Sequence, residues 1–315
     1  MSIKRKAGNK AARYDPTRTG FIVKPWSVEA RKRFRLLKRE VMTELVAVFD
    51  TGPKVNVNSY QFLTSSAKLS KFKSWLERRA QAGLLEIIPS DEMSVYTGRW
   101  WAGKFVMSAY KKGMSRAVAE MKQAHLPGFE PILPAGLDPI TKKAVGASFL
   151  DVMFNAPIHM DRVALLYGRV FEGMKGITAQ VSSSLSGILA QGMVDGSNPY
   201  DIAESIAKSL NIGEARATMI ARTEIIRAHH LGSVATYRQA GIEGVVVQAE
   251  LMTVSGKKEN FEAMNVCPEC AALQRKTSEH PLSLDEIEGM IPVHPNCRCI
   301  ALPSIVSING VEEKG

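Results

Sequence analysis

The chain has 315 residues, 45% of them hydrophobic and 23% charged, the balance of an ordinary globular protein rather than a disordered or fibrous one. No apolar run approaches the roughly 18 residues a membrane span needs, and nothing at the start resembles a secretory signal, so neither a membrane protein nor an oxidised, disulfide-framed one is expected. The net charge of +10 is uneven, with +15 on residues 1–125 and −5 on the remainder. That asymmetry predicts two halves with different neighbours, the basic one suited to a polyanion such as double-stranded DNA held without sequence preference.

Residues 1–20 are rich in Lys, Arg, Gly and Asn and have too little apolar surface to offset ordering, so a flexible basic arm is expected. From Trp26, with Ser27 as cap, Phe34, Leu37, Val41, Leu45 and Phe49 recur at spacings of 3 and 4, which predicts a helix ended by Asp50-Thr51-Gly52-Pro53. Its other face carries Arg31, Lys32, Arg33, Arg35, Lys38 and Arg39. Arg31, Arg35, Lys38 and Arg39 are the candidate nucleic-acid contacts. A second helix is predicted over Ser65–Ala82, then a short strand or extended link at Leu84–Ile88 and a helix over Val95–His125. Trp100 and Trp101 in that last helix could stack on bases. The tendency of Trp to bury most of its surface favours core or interface instead. These helices form a basic N-terminal domain, residues 21–125. Pro127, Pro131, Pro134 and Pro139, interleaved with Gly128 and Gly136, mark a linker, residues 126–150.

A long amphipathic helix is predicted over Met160–Met193. Beyond the turn at Asp195–Asn198, Asn198 can cap and Pro199 can start a helix buried through Ile202, Ile206 and Leu210. Asn211-Ile212-Gly213 is expected to separate it from a further helix, striped by Met219, Thr223, Ile226, His230, Val234 and Tyr237 and ended by Gly241. On that helix Arg222, Glu224 and Arg227 are expected to form structural salt bridges to the C-terminal lobe, with Glu224 and Arg227 one turn apart. His230 falls on the core stripe and His229 outside it. After Gly244 the period changes to two, with Val245, Val247, Ala249 and Leu251 on one face of a strand. A short helix at Ser283–Met290 and a return strand from Cys299 to Leu302 complete a small lobe. The fold class is therefore α+β and predominantly α-helical, with long helices and a small C-terminal α+β lobe.

All four cysteines lie between Cys267 and Cys299, as Cys267-Pro-Glu-Cys270 and His294-Pro-Asn-Cys297-Arg-Cys299. Two knuckles of this spacing can bring four nitrogen and sulfur donors around one zinc ion. Five candidates, Cys267, Cys270, His294, Cys297 and Cys299, compete for the four places, with two disulfides or free thiols as the other readings. A catalytic zinc needs an open position and a general base. The deaminase His-x-Glu occurs nowhere in the chain, so a closed structural zinc that staples the thin lobe is favoured.

The order of motifs, Ala221-Arg222-Thr223-Glu224, then Cys-x-x-Cys, then His-Pro-Asn-Cys-Arg-Cys, resembles the phage Mu F-like minor head protein family over about residues 150–303. The resemblance implies a non-enzymatic minor capsid or head morphogenesis protein of a tailed bacteriophage. It would be found in the virion near the portal vertex, and in the bacterial host cytoplasm during assembly. It would assist head assembly, DNA packaging or ejection, with the portal protein or major capsid protein as partner and a portal oligomer as one arrangement. The remaining segments are then a helical part, 151–243, a zinc lobe, 244–303, and a tail, 304–315, too short for the further domain that some relatives carry. The alternative is an enzyme on nucleic acid or protein using zinc or the Arg222 and Glu224 pair, for which no recognisable nucleophile, base or phosphate loop is present.

Overall fold

A computed structural model describes residues 16–49, 65–81, 93–123, 154–195, 197, 199–242, 245–255, 261–262, 264–308 and 311–312. The expected strand at Leu84–Ile88, the cap at Asn198 and the linker at 126–150 lie outside these residues.

The first helix, α1, runs Gly20–Phe49, so it begins six residues before Trp26 and takes in the expected Ser27 cap. The apolar stripe is the reason: Ile22, Val23 and Trp26 are buried in register with Ala30, Phe34, Leu37, Val41 and Leu45, so helix formation buries one more turn. Thr19 opens it, its carbonyl accepting from the N–H groups of Ile22 and Val23. Ser27, inside the helix, donates its hydroxyl to the Val23 carbonyl at 2.9 Å. The last residues of the expected arm are packed as well: Thr17 and Thr19 are buried and Arg116 donates to the Pro16 carbonyl.

The second helix, α2, spans Ser65–Gln81 and buries Phe72 and Leu76. The predicted helix from Val95 is two: α3 (Met93–Tyr96) and α4 (Gly103–Gln123). Gly98, at φ +70°, takes the left-handed conformation that breaks the run. Because Trp100 and Trp101 lie in the turn between α3 and α4, they escape the helical rule that sends neighbours to different faces. Trp101 meets Trp26 edge-on at 6.0 Å, and Trp100 meets Phe171 at 5.8 Å.

The long amphipathic helix is α5, Pro157–Val194. It is followed by α6, a single 44-residue helix from Pro199 to Ile242, so the expected break at Asn211–Gly213 is absent. Gly213 serves packing instead: a Cβ there would lie 2.9 Å from both Phe34 and Val181, so its lack of side chain lets α1 and α5 close on α6. Helix α6 is the axis of the molecule, with α1, α4 and α5 packed along it. The α4 crossing is closest. A Cβ on Gly113 would sit 1.8 Å from the His229 carbonyl oxygen, and one on Gly232 would sit 2.3 Å from that of Tyr110. Ser233 secures the contact by donating to the Gly113 carbonyl at 3.0 Å.

The C-terminal lobe is an antiparallel sheet in the order β2-β1-β3-β4, with β1 at Val245–Met252, β2 at Leu282–Ser283, β3 at Ile300–Ile308 and β4 at Val311–Glu312. Strand β3 runs past the expected end of the lobe at residue 303, because Ser304, Ile305, Ser307 and Ile308 continue the ladder opposite Val245–Gln248. Helix α7 (Pro268–Glu279) covers the edge of β1: Leu251 N–H donates to Thr277 Oγ1 and Thr253 N–H to Gln274 Oε1. Helix α8 (Leu284–Glu288) opens with a Ser283–Glu286 capping box. The lobe's core, around Leu251, Ile287, Ile291 and Cys270, includes Ile226 and Val234 of α6. Each such buried side chain contributes about 1.5–3 kcal/mol, so the lobe is built onto α6 rather than beside it.

Candidate metal centre

Cys267 is the N-cap of α7, with extended backbone (φ −67°, ψ 148°), and its sulfur accepts from the Cys270 N–H at 3.3 Å. Pro268, at the first helical position, lacks the N–H that would have no partner there. Both sulfurs therefore sit at the start of one helix.

His294 comes from the loop before β3. Its Nε2 lies 3.1 Å from Cys267 Sγ and 3.2 Å from Cys270 Sγ, while Nδ1 is 2.8 Å from the Pro295 carbonyl. A carbonyl only accepts, so Nδ1 carries a proton, and Nε2 is the nitrogen turned to the two sulfurs. That fixed tautomer is what a metal-binding histidine needs. Cys297 N–H closes a turn to the His294 carbonyl, and Cys299 N–H points to Cys297 Sγ at 3.4 Å. Asn296, between them, is left-handed at φ +63°, a conformation Asn tolerates better than most residues.

The five sulfur and nitrogen donors form two overlapping triads, Cys267–Cys270–His294 and Cys270–Cys297–Cys299, each with its atoms within 4.8 Å of one another. Cys270 belongs to both. Cys270, Cys297 and Cys299 are buried and Cys267 is half-buried. Hydrogen bonds from Cys270 and then Cys299 hold the Cys297 thiol far below its usual range, and the bond to Cys297 drives Cys270 far above it. Four donors, Cys267, Cys270, His294 and Cys299, line one cavity of about 90 Å³ with Thr253, Asn265, Asn296 and Arg298, and Cys297 does not line it. The cluster could hold a metal ion, and its donor set is the soft sulfur and imidazole type that suits zinc.

The other predicted residues separate. Glu224 is buried and lies 3.2 Å from Arg227 Nε, but its second partner is Arg169 of α5, at 3.1 Å, not a residue of the lobe. Arg222 is exposed and forms no ion pair among the described residues. What joins α6 to the lobe is Thr223, whose Oγ1 accepts from Asn296 N–H at 3.2 Å, within the ligand loop itself. Further joints are His230 Nε2 to the Ile287 carbonyl at 3.0 Å and the ion pairs of Arg238 with Asp285 and Glu288. Arg169 and Asn296 could not be read as partners of α6 because each is more than 50 residues away in sequence. Thr223 was visible within Ala-Arg-Thr-Glu. His229 and His230 are both buried, correcting the expectation that one faces outward, because α4 covers one side of α6 where the lobe covers the other. Arg31, Arg35 and Arg39 lie exposed along α1, and Lys38 is half-buried.

Residues 184–302 match the family model for phage Mu protein F like protein. The chain contains a phage Mu F-like region. No curated protein and no solved structure matches it. The Mu F-like region begins within α5 and takes in α6, the whole donor cluster and the start of β3, so the matched segment contains both the long axial helix and the knuckles. The family is one of phage head morphogenesis proteins. No helix among the described residues is long and apolar enough to cross a membrane.

Proposed function

We propose that this chain is a minor capsid protein of a tailed bacteriophage, located in the head at the portal vertex, where it assists assembly and the passage of DNA. The observation that carries the reading is the coincidence of the Mu F-like match with the donor cluster. The match ends at residue 302, just after the last of the five candidate ligands. In this reading the protein is not an enzyme. Glu224 is held between Arg169 and Arg227, which suits a joint between helices better than a general base.

The cluster binds one structural zinc through Cys267, Cys270, His294 and Cys299, the four donors that line the shared cavity. Cys297 is the fifth donor, a fourth sulfur beside them, receiving the Cys299 N–H. Zinc supplies cross-linking here: it ties the start of α7 to the loop before β3, across a lobe too small to be held by its own core. The portal protein is the expected partner, with the major capsid protein next, and the site of action is the virion.

Purified phage heads test the head reading. The protein should be found there at a few copies per particle and should co-purify with the portal after mild disruption. Its absence from heads would refute the reading. Metal content by mass spectrometry tests the site separately, with about one zinc per chain expected and a metal-free chain with an unchanged lobe contradicting it.

A further inference from the structure

We propose that the outward face of α1 is a binding surface for double-stranded DNA, gripped through its phosphates without regard to sequence. This deepens the head-protein reading, which explains why packaged DNA would be near. Arg31, Lys32, Arg35 and Arg39 line one open groove of about 560 Å³ with Val28 and Leu36. At 1.5 Å of rise per residue the four cations form a row about 12 Å long. None of the four forms an ion pair with a carboxylate among the described residues. The nearby acids are engaged elsewhere, Glu29 with Arg33 and Glu40 with Arg79. Lys38, although on the same helix, does not line the groove, and Arg33 stacks over the Trp101 ring at 4.5 Å.

The opposite side of α1 is locked into the bundle through Trp26, Phe34 and Leu37, all buried. The row is therefore presented on a backbone that needs no further ordering to bind. A duplex carries one charge per about 1.7 Å of axis, so a 12 Å row faces a continuous line of phosphates. An acidic protein offers carboxylates at discrete points and relies on apolar anchors in pockets for its affinity. The groove supplies only Val28 and Leu36. Single strands are held by aromatic stacking, and Trp26 and Trp100 face inward.

The test is fluorescence anisotropy of the full chain with a labelled 30-base-pair duplex of arbitrary sequence, between 50 and 200 mM NaCl. Neutralising three phosphates changes the slope of log K against log salt by about 2.7. The triple variant Arg31→Ala, Arg35→Ala, Arg39→Ala should therefore bind more weakly and show a slope shallower by about that amount, with its circular dichroism spectrum unchanged. If the variant misfolds, the single substitution Arg35→Ala should still flatten the slope by about 0.9. Identical slopes in wild type and the variants would overturn the proposal. So would poly-glutamate displacing the duplex at a lower concentration of charge than unlabelled duplex does, since the surface would then suit an acidic protein. Protein found in heads but lacking this salt slope would overturn the DNA surface alone. Duplex binding that depends on the row, in a chain missing from heads, would support the surface and overturn the head reading.

Discussion

Acidification from pH 7 to pH 5 should destabilise the helical bundle by roughly 4 kcal/mol, through the two histidines at the α4–α6 and α6–lobe contacts. Burial, the dominant cause in both, holds the His229 imidazole down at about 3 and the His230 imidazole at about 4, against about 6.5 in an unfolded chain. Both rings are therefore neutral in the fold. Below pH 6.5 the unfolded chain takes up protons that the folded one refuses, so stability is full above that pH and falls as pH drops toward 4 and then 3. At pH 5 each imidazole costs about 2 kcal/mol relative to neutral pH. Urea denaturation at several pH values, followed by tryptophan fluorescence, measures this directly, since Trp26, Trp75, Trp100 and Trp101 belong to the bundle and its turn. The decisive comparison is with His229→Gln, which should remove about half of the fall. Equal falls in wild type and variant, or stability flat from pH 7 to pH 5, would refute the assignment.

Gly113→Ala should destabilise by about 3 kcal/mol, because its Cβ would lie 1.8 Å from the His229 carbonyl oxygen and the two helices would have to part; an unchanged urea midpoint would show that the crossing is looser than described. Cys299→Ser should lose the metal and Cys297→Ser should keep it, measured as zinc per chain, and the reverse pattern would place Cys297 in the ligand set. Thr223→Val removes the acceptor for the Asn296 N–H and should weaken zinc retention about tenfold against a competing chelator, the scale of an outer-shell contact, with helix content unchanged. Equal retention would mean that the ligand loop holds its shape without α6. Glu224→Gln should leave the chain folded and still incorporated into heads, whereas loss of head function in a folded variant would favour a catalytic carboxylate.

The elements legible in the sequence were those whose signal is local. Apolar spacing of 3 and 4 fixed the faces of α1, α2, α4 and α5, and the period of two marked β1, because both patterns are imposed by the geometry of a single element. The knuckles were legible for the same reason: Cys267 and Cys270 are brought together by one turn of chain, and the Cys297–Cys299 segment lies within one loop. Errors arose where a residue's local preference met a distant neighbour. Gly213 reads as a break and proves to be a packing site, Ser27 reads as a cap and sits inside a helix, and Trp100 and Trp101 converge because a left-handed Gly98 interrupts the helix that would have parted them.

By itself the sequence determined the helical class, the zinc-ready donor types and the motif order of the Mu F-like region, since residue type and spacing along the chain are enough for each. Only the tertiary structure decided that one 44-residue helix organises everything, that Glu224 pairs with Arg169 and that Thr223 holds the ligand loop. It also decided which four donors share a cavity. These facts depend on atoms brought within a few ångströms by chain that is tens of residues away, and no local pattern carries that information.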